Sequence, residues 1–150
     1  MIDKLGISGS YDIYINGKYS ETVKNRLMDT VLTQIIGMYK GDAPDLQIYY
    51  LALGTGNTAI TDTDTTLDTE IFRTPLAVAT TDVGTGEILN EFIVLDTEAV
   101  GNIEEIGIFG GSTATAAADS GTLISRILWS KVKSNSEEIT FRRTDKVVRG

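Results

Sequence analysis

Leu46-Gln47-Ile48-Tyr49-Tyr50-Leu51-Ala52-Leu53 is an apolar octet broken only by Gln47, with Pro44 before it and Gly54-Thr55-Gly56-Asn57 after it. It is the right length for a strand and too short for a helix, and with both of its faces apolar it reads as a central, buried strand. The same short period continues to the C-terminal end. Glu70 to Thr80 is a strand in which Pro75 marks an edge or a bend. Asp82-Val83-Gly84-Thr85-Gly86-Glu87 turns the chain, and Ile88 to Leu95 returns with Ile88, Phe92 and Val94 as apolar positions. Ile103 to Phe109, Thr122 to Trp129 and Glu138 to Arg142 complete the series, with a Gly/Ala/Ser/Thr loop at 110–121 and a polar turn at Lys133-Ser134-Asn135-Ser136. The 20 Thr favour strands, and the 15 Gly mark tight connections between them.

Upstream of the octet, Tyr11 to Tyr19 alternates around Asn16-Gly17, a two-residue turn signal, and predicts an N-terminal hairpin over about 11–19. Val23, Leu27, Val31 and Ile35 then recur at spacing four, with Met28, Leu32, Ile36 and Tyr39 beside them. This wide apolar stripe predicts a core-facing amphipathic helix at about 26–39, capped by Asn25 and stopped at Gly41. About seven strands at short spacing with one helix define a mainly β, α+β chain. The expected architecture is an antiparallel sandwich or barrel with the helix covering one side or end. The chain of 150 residues reads as a single domain over 1–150, and a domain of that size buries roughly 70% of the surface its unfolded chain exposes.

Neither Cys nor His occurs. Disulfides, thiolate nucleophiles, Ser-His-Asp triads and His/Cys zinc sites are therefore excluded within the chain. The opening Met1-Ile2-Asp3-Lys4 lacks the basic and apolar regions of a secretory signal, and no apolar run reaches the ~18 residues that span a membrane, so no membrane insertion is expected. The net charge of −8 is unevenly distributed: +1 over 1–41, −13 over 42–120, where Arg73 is the sole cation, and +4 over 123–150. The acidic middle argues against a nucleic-acid partner. The split reads either as a solvated acidic face with a basic tail or as the basic end of one protomer meeting the acidic belt of another in a ring or filament.

Candidate chemical sites are few. Gly54-Thr55-Gly56-Asn57 lacks the Gly-Lys-Ser/Thr ending of a P-loop and reads as a turn with positive φ at two positions. Asp62, Asp64, Asp68 and Glu70 place oxygen ligands at relative positions 1, 3, 7 and 9, a calcium candidate, but Leu67 and Arg73 stand where an EF-hand loop needs Gly and Glu. The competing reading is a solvated loop whose Asp and Thr side chains bond nearby amides. Glu104 and Glu105 are adjacent on a predicted strand, point to opposite faces and cannot form a glycosidase pair with each other. No Ser occupies a Gly-x-Ser-x-Gly context, so no catalytic residue and no cofactor is expected. Arg126, inside the apolar Leu123 to Leu128, is expected to pair with Glu70 or Glu105. Tyr49, Tyr50 and Trp129 read as core rather than as a sugar platform.

Several motifs in order carry a resemblance: Lys24-Asn25 before the helix, Leu51 to Asn57, the Thr/Asp loop to Glu70 with Arg73, Ile103 to Phe109, and Gly121 to Arg126. Over about residues 24–142 the chain resembles a group of small bacteriophage structural proteins described as tail fibre, tail-collar or baseplate-associated proteins. The resemblance implies a virion protein of the tail, neck or baseplate, made in the host cytoplasm and assembled with copies of itself and other virion proteins, and not an enzyme. Gly54, Gly56, Glu70, Arg73, Glu105, Gly107 and Arg126 carry over as architectural positions. The hairpin and the basic end at about 142–150, with Arg142 and Arg143, lie outside the pattern and are the expected attachment segments. The alternatives are capsid decoration, or a receptor- or carbohydrate-binding module that uses the loops at 57–69 and 110–121 on a host surface receptor.

Overall fold

A computed structural model of the chain describes residues 5–82 and 84–149; Met1 to Lys4, Val83 and Gly150 lie outside the described residues. The elements are β1 (Leu5–Ile15), β2 (Lys18–Lys24), α1 (Asp29–Gly37) with a 3-10 turn at Met38–Lys40, β3 (Ile48–Gly54), β4 (Glu70–Pro75), β5 (Val78–Asp82), β6 (Glu87–Val94), β7 (Gly101–Gly110), β8 (Thr122–Lys133) and β9 (Ile139–Arg149). They form two antiparallel sheets, in the orders β2-β1-β9-β6-β5 and β4-β3-β7-β8. Among the described residues seven strands follow the helix, because Glu70 to Thr80, expected as one strand, divides into β4 and β5 of different sheets, and the hairpin raises the total to nine. The sheets pack as a sandwich around Tyr11, Phe92 and Phe141 from the first and Leu51, Ile106 and Ile108 from the second. Trp129 and Phe141 meet edge to face across the interface, with ring centroids 5.5 Å apart.

The octet forms β3 between β4 and β7, fully buried from Leu51 onward, while Tyr49 reaches solvent. Pro75 marks the point where the chain changes sheets. The Leu76 amide donates to Tyr49 O of the second sheet (2.8 Å), and the next amide, Ala77, donates to Glu91 O of the first (2.9 Å). In the hairpin, Asn16 and Gly17 both take positive φ, 51° and 77°, the backbone that a tight two-residue turn requires.

Three expectations are corrected. The helix starts at Asp29, not 26, because the preceding residues serve as edge partners of β8: Leu27 bridges Ser125, and the Met28 amide donates to Ile124 O at 3.0 Å. Met28 is therefore extended (ψ 155°) and takes the N-cap position with no side-chain cap, and Asn25 instead accepts from Arg143 (3.2 Å). The helix also buries only part of its stripe. Val31 is buried, whereas Leu32, Ile36 and Tyr39 are 55%, 65% and 83% exposed. Finally, the basic end is no free tail: residues 139–149 form β9, the middle strand of the five-stranded sheet, paired with β1 along its length and with β6 from Ile139 to Lys146.

Deleting residues 142–150 is therefore expected to abolish cooperative unfolding, as followed by circular dichroism, rather than to release a folded core. Replacing Ile36 with Lys on the exposed row should change stability by no more than ~0.5 kcal/mol in urea unfolding.

Candidate functional site

The most elaborate charge cluster lies on the outer face of the four-stranded sheet, beneath the loop at 55–69. Alternation along β7 and β8 places Glu105, Gly107 and Phe109 on that face, with Arg126 paired in register to Gly107. Met28, Ala52, Leu67, Phe109 and Leu123 form a second apolar cluster there, so the loop acts as a third layer. Arg126, only 1% exposed, is fixed from several sides. Its Nε donates to Glu105 Oε2 (2.8 Å), Nη1 to Asp64 Oδ2 (2.9 Å) and Nη2 to Thr58 O (3.2 Å), and Nη2 lies 3.1 Å from Asp68 Oδ2. Glu105 accepts that bond and three backbone amides: Gly56 (3.1 Å) and Thr69 (2.9 Å) on Oε1, and Asp68 (3.1 Å) on Oε2. The buried ions thus satisfy each other and tie down both ends of the loop.

Gly54 and Gly56 are required here for close approach, not for positive φ as the turn reading expects; neither is among the positive-φ residues. A Cβ on Gly54 would collide with Glu105 and Thr69 O, and one on Gly56 with Asp68. Gly107 lets Leu67 lie on the sheet, where an added Cβ would come within 2.7 Å of its Cδ2.

Glu70 and Arg73 form a second clamp. They pair at 2.7 Å with both side chains nearly buried, so of the two carboxylates expected for Arg126 it takes Glu105 alone. Arg73 Nη1 donates to Thr115 O (2.9 Å) and Ser120 O (3.0 Å), its guanidinium stacks on Phe109 at 4.4 Å, and Glu70 Oε2 accepts from the Asp119 amide (3.0 Å). Asp45 adds the Ser112 amide (2.8 Å) at the near end. The loop at 110–121, which its composition marks as mobile, is thereby bonded along its length.

The calcium candidate does not assemble. Asp62 pairs with Arg26 (2.7 Å), Asp64 and Asp68 with Arg126, and Glu70 with Arg73. Among the described residues no group of three or more metal-ligating side chains converges. Burial pushes Asp64 up, but hydrogen bonds from Thr61 and Arg126 outweigh it and hold its pKa below the ordinary value. Asp68 is lowered by the Thr58 hydroxyl and amide. What the arrangement does chemically is fasten two loops to one sheet face. Of the three aromatics expected in the core, Trp129 is buried and donates to Glu21 (2.6 Å) and Tyr50 lies against Arg73 (5.4 Å), whereas Tyr49 is 37% exposed.

Two cations of the basic end are also interior. Arg143 lies between the sheets and donates to Tyr11 (2.9 Å), Ser125 and Asp145 (2.7 Å). Lys133 donates to Leu95 O (2.9 Å) and Asp96 O (2.8 Å), and burial lowers its pKa. Arg143 could have been found by extending the alternation of Ile139 and Phe141 two residues further. Arg142, on the opposite face, lies 3.1 Å from Glu91, a contact of charge without an aligned hydrogen bond. No protein-family model, curated protein or solved structure matches the chain.

Glu105→Gln is expected to cost ~1–3 kcal/mol in denaturant unfolding, because one carboxylate acceptor becomes an amide donor facing buried donors and Arg126 keeps only the partly exposed Asp64 and Asp68 as counter-charges. The double variant E105L/R126M should not recover this loss, since the amides of Gly56, Asp68 and Thr69 remain without an acceptor. Asp64 and Asp68 have folded pKa values below the reference 3.8, so their contribution is present above that pH and lost as pH falls further. Glu137, lowered to about 2 by the Ser134 amide and Lys131, behaves likewise from 4.5 downward. The protection of the Ser134 and Thr58 amides against exchange, taken relative to the intrinsic rate at each pH, should therefore fall on acidification through that range.

Proposed function

We propose that the chain is a structural subunit of a tailed-phage virion, a fibre, collar or adaptor protein of the tail, neck or baseplate that works through contacts with copies of itself and other virion proteins. One observation carries the reading. The motifs behind the resemblance, Leu51 to Asn57, the loop to Glu70 with Arg73, Ile103 to Phe109 and Gly121 to Arg126, converge on one sheet face and form the double clamp. Their work in the fold is to hold loops rigidly, which suits a protein whose role is shape. The row Leu32, Ile36 and Tyr39 supplies exposed apolar surface for assembly.

Antibody-gold labelling of purified phage particles is expected to mark the tail, neck or baseplate. Label on the head would move the protein to capsid decoration, and absence from the particle would remove the virion reading. Light scattering of the isolated protein should show assemblies that Ile36→Lys weakens, with unfolding unchanged.

A further inference from the structure

A cleft of about 330 Å³ lies between the two sheets beside α1. Val31 and Ile35 of the helix, Ile48 and Ile124 of one sheet and Ile88 of the other line it, and its walls are overwhelmingly apolar. Its polar groups include Asn90, Arg143 and Asp145. Arg143 and Asp145 are bonded to each other at 2.7 and 3.1 Å, which cancels their charge. Asn90 is different: the residue is 1% exposed, yet its Nδ2 has no hydrogen-bond partner among the described residues. A buried donor without an acceptor is destabilising, and a group that supplies the acceptor recovers the loss.

We propose that this cleft binds a small, uncharged, mainly apolar molecule carrying one hydrogen-bond acceptor, with the acceptor oxygen taken by the Asn90 amide. Volume sets the size. At ~30 Å³ for each water-sized unit, the cleft holds about ten non-hydrogen atoms, at the small end of known ligand pockets. Electrostatics sets the charge: an anion would meet Asp145 and a cation Arg143, each already neutralised by the other, whereas a carbonyl, ether or hydroxyl oxygen meets a free donor. Ala79 is the register partner of Asn90 on β5 and lines the same cleft, so a larger side chain there would fill it. The proposal stands independently of the virion reading.

The test titrates the full chain with methyl heptyl ketone, nonane and nonanoate, read by calorimetry and by the Asn90 side-chain amide resonances. The ketone should bind about tenfold more tightly than nonane and shift those resonances, and nonanoate should bind more weakly than the ketone. Asn90→Leu should fold at least as stably as the parent and lose the preference for ketone over nonane. Ala79→Phe should lose binding of both. Failure of all three probes to bind at their solubility limits would overturn the proposal. So would equal affinity for ketone and nonane, preferred binding of nonanoate, or a ketone preference that survives Asn90→Leu.

Discussion

The Arg126–Glu105 pair is the interaction on which the outer half of the molecule depends. An ion pair buried on a sheet face rarely stabilises a fold relative to apolar residues of the same shape, since removing both charges from water offsets their attraction. This pair differs because its remaining hydrogen-bonding capacity is spent on backbone. Glu105 receives three loop amides, and Arg126 reaches Thr58 O and two loop carboxylates. The charges therefore substitute for a strand partner along a segment that has no regular structure of its own. Leu67 and Phe109 then find an apolar environment outside the main core. Without the pair, the amides of Gly56, Asp68 and Thr69 would lose their acceptor.

The uneven charge of the chain is resolved by the same logic. An acidic middle and a basic end suggest patches that meet between protomers, and the fold brings them together within one. Arg126 binds Asp64, Asp68 and Glu105; Arg142 faces Glu91; Lys146 faces Glu87 at 3.3 Å. The central position of β9 explains this, because inserting the last strand between β1 and β6 lays the basic end across acidic β6. Charge segregation along a sequence is evidence about partners only after the topology has shown which segments are neighbours.

How much was legible follows from how local each signal is. The strand in the octet at 46–53 and the Asn16-Gly17 turn are written in consecutive residues and appear where they were read, whereas the edge or bend read at Pro75 is a change of sheet. Glu105 could be named as one of two candidate partners of Arg126, with Glu70, because a cation inside an apolar strand must find a carboxylate. The helix start could not be read, since Leu27 and Met28 fit the helical period and are held extended only by β8, about a hundred residues away. The length of β9 was hidden for a similar reason. Arg143 and Asp145 look like the start of a solvated tail until Tyr11 and Ser125 surround them. The acidic loop lacked only the knowledge of which guanidinium each carboxylate would meet.

The four sheet edges bear on how such a subunit could assemble. Beside β8, Leu27 and Met28 already occupy part of the edge. β4 ends in Pro75, which has no amide to offer, β5 is short and ends at Asp82, and β2 carries Lys18, Glu21 and Lys24. Short strands, proline and charge are the features that keep an edge from recruiting another strand. Assembly by strand addition is thus disfavoured at all four positions. The row Leu32, Ile36 and Tyr39 has no such protection: it lies on a helix whose other side is anchored by Val31, and its side chains are presented on a rigid support. On the virion reading, contacts between subunits accordingly fall on the helix, where association joins side chains already in place and requires no change in either sheet.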